Sequence, residues 1–319
     1  MRITSPKASL LALSLVSAFA GPAFATTVTL DLSATTTSSA NGIAGTTVGS
    51  VSPTYVNSSS SGTDALGQGS AYSFANQYGA YAVHSNSQGI ATGNADAALK
   101  YVITNDSGLL THYSITFKIY GGSISAQTVG GGLLIANESL HSEYRASIKV
   151  NGSSVFDSSA SIDRQGNTTT FVKQGFDLSF GTDDGFDGAY GWGAHYETID
   201  LGNLAAGASV EVLAELNQRS SANVGFYAFD SGLCGGYGGY DTITASSAVA
   251  GGDCFKGSGQ GFYGDPAAIS FNDNDSTGAN DPVVIRSAVV GQIPEPGTVG
   301  LTLLGLMAAA SRRRRTRRS

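Results

Sequence analysis

The chain has 319 residues and a formal net charge of −7, from 24 acidic and 17 basic side chains. Eight of the basic residues sit at the two ends (Arg2, Lys7 and the six arginines after Ala310) and one acid, Glu295, lies near the C-terminus, so residues 26–293 hold 23 acids against nine bases, a net of −14. A body this acidic lacks the basic footprint that nucleic acid requires, and it suits an extracellular protein or one that binds hard cations through oxygen.

At the N-terminus, Lys7 precedes an apolar run over 8–20, and Ala23-Phe24-Ala25 supplies a small-x-small cleavage pattern. Residues 1–25 therefore read as a signal peptide, with Thr26 the first mature residue. The next segment, 26–96, is rich in Ser, Thr, Gly and Ala. Its start, 26–32 (TTVTLDL), alternates like a strand, whereas 33–69 reads as loop or edge elaboration. Residues 71–83 carry Tyr72, Phe74, Tyr78 and Tyr81 and are expected to pack on the sheet that follows.

Regular strand signals occupy 97–292. Residues 98–104 end at the turn sequence Asn105-Asp106-Ser107-Gly108, and 112–120 places Tyr113, Ile115, Phe117 and Ile119 on one face. The strand 144–150 meets Asn151-Gly152, the preferred type I′ dipeptide, and returns through 153–156 as a hairpin. Further strands are expected over 169–180, 195–201, 209–216, 224–229, 242–249, 268–271 and 283–289. No sustained helical period and no fixed repeat interrupts them. The fold class is all-β, an antiparallel β-sandwich or jelly-roll-like domain between the signal peptide and a C-terminal hydrophobic tail. Residues 201–210 resemble the LG-x-L-x-x-G-x-x-V connection of many secreted β-sandwich modules, a fold-level likeness that carries no active residues.

Cys234 and Cys254 are the only cysteines, and in an exported chain they are expected to form a disulfide closing a glycine-rich loop of about 20 residues. No Gly-x-Ser-x-Gly elbow or His-Glu-x-x-His motif occurs, and the four histidines stand at no metal-ligand spacing, so no catalytic residue is assigned. Two acidic, glycine-bearing loops are candidates for calcium: Asp183, Asp184 and Asp187 in one, Asp273, Asp275 and Asp281 in the other. Neither has the full EF-hand spacing, and a solvated turn accounts for both. Beside the first loop, Tyr190 and the only tryptophan, Trp192, are flanked by glycines, and their rings suit stacking on sugars unless they fill the core.

The last 27 residues, 293–319, carry the most specific signal. Pro294-Glu295-Pro296 precedes an apolar run over 297–310, followed by Arg312, Arg313, Arg314, Arg315, Arg317 and Arg318. Fourteen apolar-run residues fall short of the roughly 20 that span a bilayer comfortably, and the arginines act as a cytoplasmic stop. These three elements in order resemble the PEP-CTERM sorting signal of Gram-negative bacteria. The resemblance covers the tail alone. It implies an exported precursor held transiently in the inner membrane, an exosortase-type processing enzyme as partner, and a final place at the cell surface or in the extracellular matrix. The function expected is a non-catalytic, exopolysaccharide- or biofilm-associated protein. A calcium-dependent carbohydrate-binding module and a polysaccharide-acting enzyme are the alternatives.

Overall fold

The computed structural model describes residues 26–52, 54–178, 188–227, 254–264 and 283–290. The N-terminal part contains β1 (Thr26–Ala40), β2 (Ile43–Ala44), β3 (Thr46–Val51), β4 (Tyr55–Asp64), β5 (Gly67–Asn76) and β6 (Tyr81–Asn105). The middle holds β7 (Thr111–Ile119), β8 (Gly122–Thr128), β9 (Ser139–Val150), β10 (Ser153–Gln165) and β11 (Thr168–Gly175). Then come β12 (Ala189–Trp192), β13 (His195–Leu204), β14 (Ser209–Asn223), β15 (Phe226–Tyr227), β16 (Cys254–Phe255), β17 (Gly257–Gly264) and β18 (Val283–Val289). The only helical element among the described residues is the single 3-10 turn Val129–Gly131. Every pairing is antiparallel, so the protein is all-β with a sandwich-like arrangement.

One strand organises the whole. β6 is 25 residues long and belongs to both layers. Its first part pairs with β5 and β17, its second with β1 and β14. The partners change at Gly89, whose φ of 68° only glycine adopts without strain, and where a Cβ would also overlap the Leu66 carbonyl and the Phe255 ring. The first layer runs β1-β6-β14-β9-β10-β11 and the second β3-β4-β5-β6-β17-β8-β12. A three-stranded sheet, β13-β7-β18, covers the rest of the first layer.

Where this small sheet sits, the core is conventional. Leu99, Tyr101 and Ile103 of β6 meet Tyr113, Ile115 and Phe117 of β7, with Tyr101 edge-on to Phe117 at 5.9 Å. Each such side chain contributes about 1.5–3 kcal/mol on burial. At the other end the two large sheets meet through small residues. Hydroxyl pairs cross the seam: Thr36 with Ser58 at 2.7 Å, Ser38 with Ser60 at 2.8 Å, and Ser87 with Ser220 at 2.8 Å. Backbones approach so closely that a Cβ on Gly69 would strike the Thr92 and Ser39 carbonyl oxygens, and one on Gly259 those of His141 and Ser221. Packed sheets usually stand about 10 Å apart, a distance that large side chains set and that glycine and serine shorten.

This seam explains where the sequence reading fell short. Residues 33–69, read as loop or edge elaboration, extend β1 and form β2, β3, β4 and the start of β5; the inner faces of β1 and β4 are mostly Ser and Thr rather than aliphatic, and β2 and β3 are exposed throughout, with β3 at the sheet edge. The division expected at residue 96 falls inside β6, so the 26–96 segment shares its sheets with the rest. The predicted hairpin is present, with Asn151 and Gly152 at φ 48° and 80°. Residues 242–249 and 268–271 lie outside the described residues.

Candidate functional site

Side chains alternate across each strand, so the outward face of the first layer can be read from register. Arg219 of β14 stands between Asn94 of β6 and Glu143 of β9, and one row along Asn217 stands between Asp96 and Arg145. β10 continues these rows with Ser161 and Ser159, and β11 with Val172 and Gln174. The result is a polar field on a rigid sheet.

Its charges are paired across strands. Arg145 forks onto Asp157, Nη2 donating at 2.7 Å and Nε at 3.3 Å. Arg219 donates to Asp96 at 3.0 Å and lies 3.9 Å from Glu143, and Asn217 donates to the same Asp96 oxygen at 2.7 Å. His141 is held between two carboxylates, Glu143 at 3.6 Å from Nε2 and Asp163 at 2.7 Å from Nδ1. Glu143, then Asp163, raise the imidazole pKa above its usual value, against the opposing effect of burial. His141 in turn is the main group that lowers the Glu143 pKa, with Arg219 assisting. A depression of ≈ 580 Å³ lies over this field, lined by Glu143, Arg145, Asp157, Asn217, Arg219 and Gln174 among others. Fixed donors and acceptors alternate within a few ångströms there, which is the chemistry that recognises vicinal hydroxyls or carboxylates on a sugar.

The residues singled out from sequence fare differently. Tyr190 and Trp192 are 2% and 7% exposed, so the expectation that their rings present a sugar platform is corrected. Trp192 packs on Tyr144 with ring centroids 4.1 Å apart and tilted by 31°, and lies 5.1 Å from Tyr263 and 5.5 Å from Tyr190, an aromatic cluster between the layers. The short strand β12 is what carries both rings inward against β8. Cys254 is a disulfide cysteine, and Cys234 lies outside the described residues. So do Asp183, Asp184, Asp187, Asp273, Asp275 and Asp281, and the tail with Pro294, Glu295, Pro296 and its arginines. Among the described residues there is no cluster of metal-ligating side chains, and no helix long and apolar enough to cross a membrane.

Sequence reading passed over Arg145, Asp157, Asn217 and Arg219, although alternation in β9 and β14 was the signal that put them on one face. It also passed over Glu138, which is 6% exposed. Glu138 accepts from the N–H groups of Ile135 and Gly225 and from the Lys256 ammonium, each at 2.9 Å. Burial opposes its ionisation, but those donors prevail and hold its pKa below the ordinary carboxylate value. This clasp ties the 132–138 loop to the start of β17 and is structural.

Residues 292–315 match the PEP-CTERM protein-sorting motif, and the chain therefore carries that motif at its C-terminus. The motif implies an exported protein, sorted at the membrane or surface and processed by an exosortase. No curated protein matches the chain.

Proposed function

We propose that this chain is a non-catalytic cell-surface or matrix protein, exported by its signal peptide, held briefly in the inner membrane by its tail, and released after processing near Pro294–Pro296. The observation that carries the proposal is the sorting motif at residues 292–315 behind an all-β body. The non-catalytic part rests on the sequence, which holds no Gly-x-Ser-x-Gly elbow and no His-Glu-x-x-His motif. Intact-mass analysis of protein recovered from the native cell surface tests it. A species running from Thr26 to the Pro-Glu-Pro motif, two hydrogens lighter before reduction for a Cys234–Cys254 bridge, is expected. A surface species that keeps its terminal arginines would sink the processing step.

The second reading is attachment to exopolysaccharide through the outer face of the first layer. The forked Arg145–Asp157 pair beside Arg219, Asp96 and Asn217 favours it. Arg145→Ala with Arg219→Ala should weaken retention on the native polysaccharide in affinity electrophoresis, and undiminished retention by the folded double variant rejects it. Calcium in the two acidic loops is a separate proposal. It requires the melting temperature to rise on calcium addition.

A further inference from the structure

β3 is the longest uncharged edge strand among the described residues. It pairs with β4 and with no other described strand, and all six of its residues are exposed on both faces, Val48 at 63% and Val51 at 87%. Edges of long sheets are normally blunted by charge, by proline or by cover, because their unpaired N–H and C=O groups recruit another strand. The remaining described edges follow that rule or are very short, β2, β15 and β16 having two residues each. β1 carries Asp31, β11 carries Lys173, β13 carries Glu197 and Asp200, β18 carries Arg286, and β12 is four residues long and partly buried. β3 (TTVGSV) has no charge, and between Asp31 and Asp96 the only charged side chain in the sequence is Asp64. In a body of net −14, that is the longest stretch so sparse in charge, and a like-charged copy meets least repulsion there.

The ladder fixes which groups face outward. The Ser52 N–H donates to the Tyr55 carbonyl at 2.8 Å, so by antiparallel alternation Thr46, Val48 and Ser50 face β4. Thr47, Gly49 and Val51 then present their N–H and C=O groups to solvent. This outward set is symmetric about Gly49.

From this geometry we propose that β3 pairs antiparallel with β3 of a second copy about a two-fold axis at Gly49. Gly49 exchanges hydrogen bonds with its counterpart, and Thr47 exchanges them with Val51 of the other chain. Val48 lies opposite Ser50, so no position sets like charges or two bulky groups against each other. The contact is isologous and closed, joining the second layers of two molecules into one continuous sheet. A single six-residue ladder buries less than the roughly 1,200 Å² of a stable complex, so the pairing is reversible and concentration-driven. It strengthens where many copies are held on one surface.

The test uses the processed protein recovered from the cell surface, followed by sedimentation equilibrium over rising concentration. Wild type is expected to double its mass reversibly. Gly49→Pro removes one outward N–H and leaves the β4 ladder intact, which edge strands tolerate. It should weaken association by at least about ten-fold, a small part of one ladder's worth. A wild type that stays monomeric throughout, or a folded Gly49→Pro that associates equally well, overturns the proposal. Should Gly49→Pro misfold, hydrogen exchange on wild type decides. Concentration-dependent protection of the Thr47, Gly49 and Val51 amides upholds the pairing, and protection elsewhere or nowhere overturns it. Neither result depends on which polysaccharide, if any, the protein meets.

Discussion

Replacing Trp192 by alanine separates a core role from a binding role. The indole is 7% exposed and packs within 4.1 Å of Tyr144 and 5.1 Å of Tyr263, centroid to centroid. Truncating so large a buried ring costs about 3–5 kcal/mol in lost transfer energy and residual cavity. The indole N–H has no hydrogen-bond partner among the described residues, so its removal offsets about 1 kcal/mol of that loss. A net destabilisation of about 3–4 kcal/mol is expected for Trp192→Ala. Trp192→Phe keeps an aromatic face and discards the unpartnered donor, so its loss should stay within about 1.5 kcal/mol. Urea unfolding at low protein concentration, followed by far-UV circular dichroism, measures both, because neither variant retains a tryptophan to report. If Trp192→Ala shifts the midpoint by less than about 1 kcal/mol at unchanged slope, the ring is not packed between the layers.

Three other outcomes follow from contacts described above. Gly69→Ala should destabilise by about 1–3 kcal/mol, because its Cβ meets two backbone carbonyls, while Gly108→Ala, which meets nothing within 4 Å, should be neutral or stabilise by up to about 1 kcal/mol. Equal effects at the two sites would contradict the close approach of the sheets. Glu138→Gln should cost about 3 kcal/mol at neutral pH by leaving Lys256 half-buried without its carboxylate. Because the Glu138 pKa is depressed, its stabilisation is present above about 4.5 and is lost as pH falls through the lower folded value. Thermal melts of wild type and variant should therefore converge in acid. His141 is the opposite case. Its raised pKa means that its ionic stabilisation is complete below about 6.5 and fades as pH rises through the folded value. An NMR titration should find the imidazole pKa raised in wild type and lowered towards normal in Glu143→Gln, and no response to that substitution would refute the pairing.

Bulky strands could be read from the sequence, and strands made of small residues could not. Tyr113, Ile115, Phe117 and Ile119 declare β7 because four large apolar groups alternate with polar ones, and all four are buried. β4, β5 and the first half of β6 obey the same alternation, but with Ser58, Ser60, Gly69, Ala71, Ser85 and Ser87 on the inner face. Hydropathy cannot separate those residues from loop, and only the opposing backbone makes them core. One local sign was available: Asn41-Gly42, at φ 48° and 75°, is the same turn dipeptide that marked the hairpin at Asn151-Gly152. The outer polar face was half legible, since alternation assigns its side chains to one surface. Which strands become neighbours depends on β14 inserting between β6 and β9, and no local pattern encodes that.

The length of β6 bears on how the protein is made. Its four neighbours come from residues 26–40, 67–76, 209–223 and 257–264, so the central strand waits for partners up to about 180 residues downstream. Pairings of such sequence separation close slowly, and until they do, the edge of β6 that β14 and β17 will take stays open along most of its length. A chain that crosses a membrane N-terminus first therefore cannot finish its sheet until Gly264 is through. The sorting motif at 292–315 begins 28 residues beyond Gly264, so every partner of β6 precedes it along the chain. A protein sorted through this motif thus has the last strand of its long sheet in hand before the sorting signal arrives.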